Sequence, residues 1–154
     1  MQPRFHIVMF HPEIPHNTGA AGRLALATGS RLHLIKPLGF SLDEKHVRRT
    51  GLDYWAKVDL HVWDSLEELK QAAAPGAQFW YLSTKAPRSH WDAVFHAGDY
   101  LVFGPESRGL PESMLREHAD TALTIPMSVE GARSLNLSTA VAVVLYEGLR
   151  QTGI

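Results

Sequence analysis

Cysteine is absent from the 154-residue chain, which excludes disulfides and thiolate chemistry and suits a reducing, cytoplasmic setting. Long apolar runs are also missing. No stretch approaches the roughly 20 residues that a membrane span needs, so no membrane association is expected. The first five residues lead straight into a strand-like run and lack the layout of a signal peptide. Charge of one sign is missing too: 15 Lys and Arg face 16 Asp and Glu, a formal net charge of −1 with the nine histidines neutral. Bulk attraction to nucleic acid is thereby excluded, and any RNA binding must rest on local patches. The histidines are not spaced as metal ligands. His11 and His16 are separated by Pro12 and Pro15 in a loop, not set on one helical face, so no metal is expected.

What remains is an ordinary globular balance, 45% hydrophobic and 20% charged. With no repeat, linker or low-complexity segment, it predicts one domain over residues 1–154. Short β-rich runs at 5–10, 31–35, 60–63, 79–83, 100–103 and 121–125 read as six strands. Helical patterns fall at 17–28, 43–49, 65–74, 111–118 and 137–150. Asn17 reads as an N-cap, Gly29 as a C-terminal stop and Pro111 as a first helical residue. Ser65-Leu66-Glu67-Glu68 is a capping box. In the last helix Val141, Val144, Leu145 and Leu149 share one face. Strands alternating with helices predict an α/β domain with a largely parallel sheet covered on both faces.

Ligands of open α/β sheets bind beyond the carboxyl ends of the strands. Three polar, glycine- or proline-bearing segments follow strands there: 11–23, 104–111 and 126–138. Ser83-Thr84-Lys85 is a fourth contributor. Within the first, Gly19 and Gly22 suggest a dinucleotide fingerprint, but the leading glycine and the later acidic residue are missing. The plainer reading is close packing of the helix on the sheet. Pro105-Glu106-Ser107-Arg108-Gly109 imitates a nucleophile elbow, yet the only later histidine, His118, precedes Asp120, against the order a serine hydrolase requires. Ser134 and Asn136 stand at the entrance of the last helix, where unpaired N–H groups suit a polar ligand. They, or Ser138, serve equally as helix caps. Two basic segments, 45–49 and 85–90, are either solvated surface or an RNA-facing patch.

Taken together, Asn17-x-Gly19-x-x-x-Arg23, the run from Leu101 to Pro111 with its Gly-Pro-Glu-x-Arg-Gly core, and Ile125-Pro126-Met127 followed by Ser134-Leu135-Asn136-Leu137-Ser138 resemble the three motifs of the SPOUT RNA methyltransferases. The Pro12-Glu13-Ile14-Pro15 and Arg48-Arg49-x-Gly51-Leu52-Asp53-Tyr54 strings narrow the resemblance to minimal enzymes that methylate the ribose 2′-OH of the tRNA wobble nucleotide, cytidine or modified uridine. One departure is the five residues between Met127 and Arg133, where about four are expected; Gly131 would absorb the extra one in a turn. The resemblance implies a six-stranded fold with a C-terminal trefoil knot, S-adenosylmethionine as cofactor, tRNA as partner and a homodimer. It implies catalytic roles for Arg23 and Asn17. It implies cofactor contacts from Leu82, Thr84, Gly104, Glu106, Gly109, Ile125, Met127, Ser134, Leu135 and Asn136. RNA contacts are expected from Lys45, Arg48, Arg49, Lys85, Arg88 and Arg108. Tyr146 is either an interface or a core residue. A ribosomal RNA substrate, or RNA binding without turnover, are the alternatives.

Overall fold

A computed structural model describes residues 2–42, 52–128 and 130–154. Six strands, β1 (His6–Phe10), β2 (Arg31–Ile35), β3 (Leu60–Trp63), β4 (Phe79–Leu82), β5 (Tyr100–Phe103) and β6 (Ala122–Leu123), form one sheet in the order β3-β2-β1-β5-β4-β6. Every pairing between these strands is parallel. The expected sixth strand shortens to two residues, with Thr124 continuing as an isolated bridge to Ser89.

Among the described residues four α-helices surround the sheet: α1 (Pro15–Thr28), α2 (Leu66–Ala72), α3 (Glu112–Glu117) and α4 (Leu137–Thr152). On one face α1 and α4 bury Ala21, Ala25, Val141, Val144, Leu145 and Leu149 against Phe5, Ile7, Met9, Leu32 and Leu34. On the other, Leu66, Leu69 and Leu110 meet Val8, Ile35, Tyr81 and Val102, and α3 adds Met114 and Leu115. Each fully buried aliphatic side chain contributes about 1.5–3 kcal/mol. The period-3.6 spacing of the α4 core residues therefore fixes how that helix lies on the sheet.

Several local expectations shift. The N-cap of α1 is Ile14. Pro15 begins the helix, since its missing N–H costs nothing there. Asn17 thus lies inside the first turn and its side chain is free for longer-range bonds. Pro111 caps α3 from outside, one residue before its first turn. Asn136, not Ser138, caps α4, accepting from the amides of Ser138 at 3.0 Å and Thr139 at 3.3 Å. Ser65 accepts from the Glu68 amide as the capping box predicts, although α2 stops at Ala72. Gly29 is left-handed, with φ 67°, and ends α1 as expected. Gly22 does not serve packing on the sheet: a Cβ there would come within 2.5 Å of the Trp55 ring, on the short 3₁₀ helix Leu52–Lys57. The expected helix at 43–49 lies outside the described residues.

Candidate active site

The carboxyl ends of β4, β5 and β6 open onto a cavity of about 480 Å³. That volume lies in the usual range for small-molecule sites. Its wall contains all ten residues expected to touch a cofactor: Leu82, Thr84, Gly104, Glu106, Gly109, Ile125, Met127, Ser134, Leu135 and Asn136. Asn17, Lys85 and Arg108 join them. Residues not singled out as contacts also line it, among them Ile14, Phe103, Ser107 and Leu110, which lie within the motif strings, and Arg133, which directly precedes Ser134.

Gly104 shows why the loop after β5 carries glycine. A Cβ at this position would overlap the amide nitrogen of Leu110 and lie 2.5 Å from the carbonyl carbon of Gly109. The loop folds back on its own backbone there and leaves no room for a side chain. Gly109 is present for a different reason: its φ of 70° is left-handed, with open space where a Cβ would be.

Glu106 has a role the sequence did not reveal. It is expected to touch a cofactor and does line the cavity; in addition its carboxylate accepts from the amides of Glu13 at 2.8 Å and Ile14 at 3.0 Å, and from Asn17 Nδ2 at 3.1 Å. These amides precede α1, where positive helix-end potential favours an anion. Asn17 Oδ1 in turn accepts from Asn136 Nδ2 at 3.3 Å. A polar chain Glu106–Asn17–Asn136 thus links all three motifs and ends at the N-terminus of α4. Asn17 is 3% exposed, so its rotamer is fixed by these bonds.

The hydroxyl of Ser107 donates to Glu13 at 2.9 Å and its amide does so at 2.8 Å. That hydroxyl is engaged with a carboxylate and not with an imidazole base, which agrees with the exclusion of serine hydrolase chemistry. His11 ends β1 in the left-handed region, with φ 51°, its ring stacked on Phe10 at 3.7 Å. Burial first, then the Arg108 guanidinium, holds its pKa below the ordinary histidine value.

The cations divide into two groups. Lys85 pairs with Glu112 at 3.0 Å. Arg88 donates to the carbonyls of Asp120 and Asp92 at 3.1 and 3.2 Å and lies over the Trp80 ring. Arg108 and Arg133 line the cavity and make no hydrogen bond or ion pair with any described residue. Arg23 is exposed on α1 and is not part of the cavity wall of its own chain. Lys45, Arg48 and Arg49 lie outside the described residues. The turn after β6 closes with the Gly131 amide on the Ser128 carbonyl at 3.1 Å, where the extra residue was expected to be absorbed. Among the described residues no group of three His, Cys, Asp or Glu side chains could hold a metal ion.

Residues 4–146 match the model of the SpoU rRNA methylase family. The chain belongs to the SpoU methylase family. It is 50% identical over 153 residues to the tRNA (cytidine(34)-2′-O)-methyltransferase of Saccharophagus degradans, covering 97% of this chain and 96% of that one. It is 46% identical over 148 residues to the enzyme of the same description from Methylovorus glucosotrophus. Among solved structures it resembles, with 48% identity and a TM-score of 0.90, a protein described for the 2-OH methylation of C/U34 on tRNA, covering 96% of this chain and 95% of that one.

Proposed function

We propose that the chain transfers a methyl group from S-adenosylmethionine to the ribose 2′-OH of the wobble nucleotide, cytidine or modified uridine, in the tRNA anticodon loop. The reading includes a single cytoplasmic domain over 1–154, a C-terminal trefoil knot and a homodimer. The observation that carries it is the convergence of the three motif loops on one cavity, in a SpoU methylase half identical to a protein named for this reaction.

The residues present suit the cofactor. Leu82, Phe103, Ile125 and Leu135 offer apolar surface for an adenine. The tight fold of the loop at Gly104 leaves backbone N–H and C=O groups to meet a ribose, and Ser134 and Asn136 offer polar contacts. When bound, S-adenosylmethionine supplies a methyl group on a sulfonium, already a good leaving group. The protein must therefore hold acceptor and donor in line, about 3–3.5 Å apart, and assist loss of the hydroxyl proton. Arg23 is assigned to the second task. A guanidinium stays protonated and is a poor base, so its role is to stabilise the developing alkoxide and grip the neighbouring phosphate, while the hydroxyl proton leaves to phosphate or water. The resemblance to the SPOUT enzymes implies that Arg23 completes the site of a second copy near a dimer interface, and its exposed place on α1, away from its own chain's cavity wall, is compatible with that. Leu26, Val143 and Tyr146, exposed by 38, 37 and 48% on α1 and α4, support such an interface. Arg108 and Arg133 face the RNA.

The expected outcome for Arg23→Ala is loss of methylation by at least about a hundredfold with tRNA retention on filters within about threefold. Wild-type protein that retains tRNA without methylating any RNA would favour the non-catalytic reading. Retention should fall steeply with salt, and a flat salt series would contradict the electrostatic grip.

A further inference from the structure

Two loops 93–94 residues apart in sequence exchange carboxylates. Glu106 takes the amides of Glu13 and Ile14, one on each oxygen. Glu13 reaches back and takes the amide of Ser107 on Oε1 and its hydroxyl on Oε2. Each loop thus grips the other through both oxygens of one carboxylate. Charge-assisted bonds of this kind are stronger and more directional than neutral ones.

The two grips have different consequences. That of Glu106 continues through Asn17 into the polar chain already described. That of Glu13 ends on the exposed outer part of the loop that follows β5. Inside that loop the backbone tie is the Gly109 amide to the Pro105 carbonyl at 2.8 Å. A stretch that contains Gly104 and Gly109 loses much conformational freedom on ordering. The loop carrying Glu13 is itself braced. Gly39 donates its amide to the Pro12 carbonyl at 2.9 Å and sits so close to Glu13 that a Cβ would come within 2.9 Å of its Cα. The Ser107 amide, then its hydroxyl, hold the Glu13 carboxyl below its ordinary pKa, with Arg108 adding to the effect. The carboxylate is therefore ionised wherever the enzyme would be assayed.

The geometry points to Glu13 as a positioning residue for the cofactor: without lining the cavity, it sets the shape of the Gly104–Leu110 wall by its two-oxygen grip on Ser107. This rests on the reading that the cavity takes S-adenosylmethionine. Glu13 lies on the segment that leads into α1. The grip therefore also makes the cofactor loop and the helix carrying Asn17 and Arg23 move together.

The test is calorimetric binding of S-adenosylmethionine and steady-state methylation of tRNA by wild type, Glu13→Ala, Glu13→Gln, Ser107→Ala and the double alanine variant, with melting temperature as a check on folding. Glu13→Ala should raise the Kd and KM for S-adenosylmethionine about tenfold while kcat changes less than about threefold. Glu13→Gln should lose less, because an amide oxygen still accepts. The double variant should bind no more weakly than Glu13→Ala alone, since both substitutions remove the same contact. Unchanged cofactor affinity in folded Glu13→Ala, or additive losses in the double variant, would overturn the proposal. So would a parallel fall in affinity, kcat and melting temperature, which would mark a general structural role. Wild type that fails to bind S-adenosylmethionine would overturn the function reading, and the clasp with it. Wild type and Glu13→Ala binding equally well would overturn the clasp alone.

Discussion

Asn17 is the residue on which the three motifs meet. Its Nδ2 is bound to Glu106 and its Oδ1 to Asn136, which in turn caps α4. Replacing it with alanine leaves an acceptor of Glu106 and a donor of Asn136 without their partner in a half-buried place, at about 1–3 kcal/mol. The expected result is a fall in kcat of about tenfold or more, read by single-turnover methylation. An unchanged rate would show that the polar chain does not position the reacting groups. Gly104→Ala is a harsher change, because its Cβ would meet backbone and not a flexible side chain. It should abolish measurable binding of S-adenosylmethionine. At this scale the sequence was informative about which residues surround the cavity and much less about what each one does. Glu106 was legible as a site residue, but not as a ligand for two amides some 90 positions earlier. Contacts that distant in the chain leave no local pattern. Glu13 was legible as part of the Pro12–Pro15 string, but its bond to Ser107 was not, for the same reason. The cap of α1 was misread because asparagine is a good N-cap by type, while Pro15 had already started the helix two residues earlier.

Among the elements, the strands were legible because buried parallel strands are nearly continuous apolar runs between turn residues. The exception is β6. Its pattern predicts five residues, but the chain after β4 bends back so that the Thr124 amide bonds to Arg88 and the His90 amide to Thr124, leaving a bridge in place of a ladder. His6 on β1, His33 on β2 and Trp63 on β3 form a feature with no sequence signature. Trp63 Nε1 donates to His33 Nδ1 at 3.0 Å, and an indole N–H can only donate. His33 therefore carries its proton on Nε2 and donates it to His6 Nδ1 at 2.8 Å. Both rings are neutral. Burial above all, then neighbouring positive groups, lowers His6 to about 4 and His33 to about 2. The unfolded chain takes up protons near pH 6.5 while the folded chain resists them. Stability should therefore fall as pH drops from about 6.5 toward 4, by up to about 1.4 kcal/mol per pH unit for each histidine. Urea midpoints between pH 7.5 and 4.5 would show it, and a flat profile would contradict the relay. The cap of α2 offers a simpler check. Ser65→Ala should cost about 1 kcal/mol in the same assay, by loss of the bond to the Glu68 amide.

The whole molecule joins an almost neutral composition to a proposed polyanionic substrate. Local charge resolves the contrast. Arg108 and Arg133 make no hydrogen bond or ion pair among the described residues, whereas Lys85 and Arg88 are already engaged. A second copy would double the free set and supply Arg23 from across an interface. If so, chains carrying Arg23→Ala and chains carrying Gly104→Ala, each inactive alone, should regain about a quarter of wild-type activity when refolded together. Half of the dimers would be mixed, and each of these would keep one intact site. No recovery would mean that each chain builds its site alone. The measurement that tests the central claim most directly is transfer of labelled methyl from S-adenosylmethionine to tRNA lacking ribose methylation, followed by nuclease digestion and mass spectrometry. A 2′-O-methylated nucleotide at the wobble position is the predicted product. Label in ribosomal RNA and none in tRNA would contradict the substrate, and label in no RNA would contradict the reaction itself.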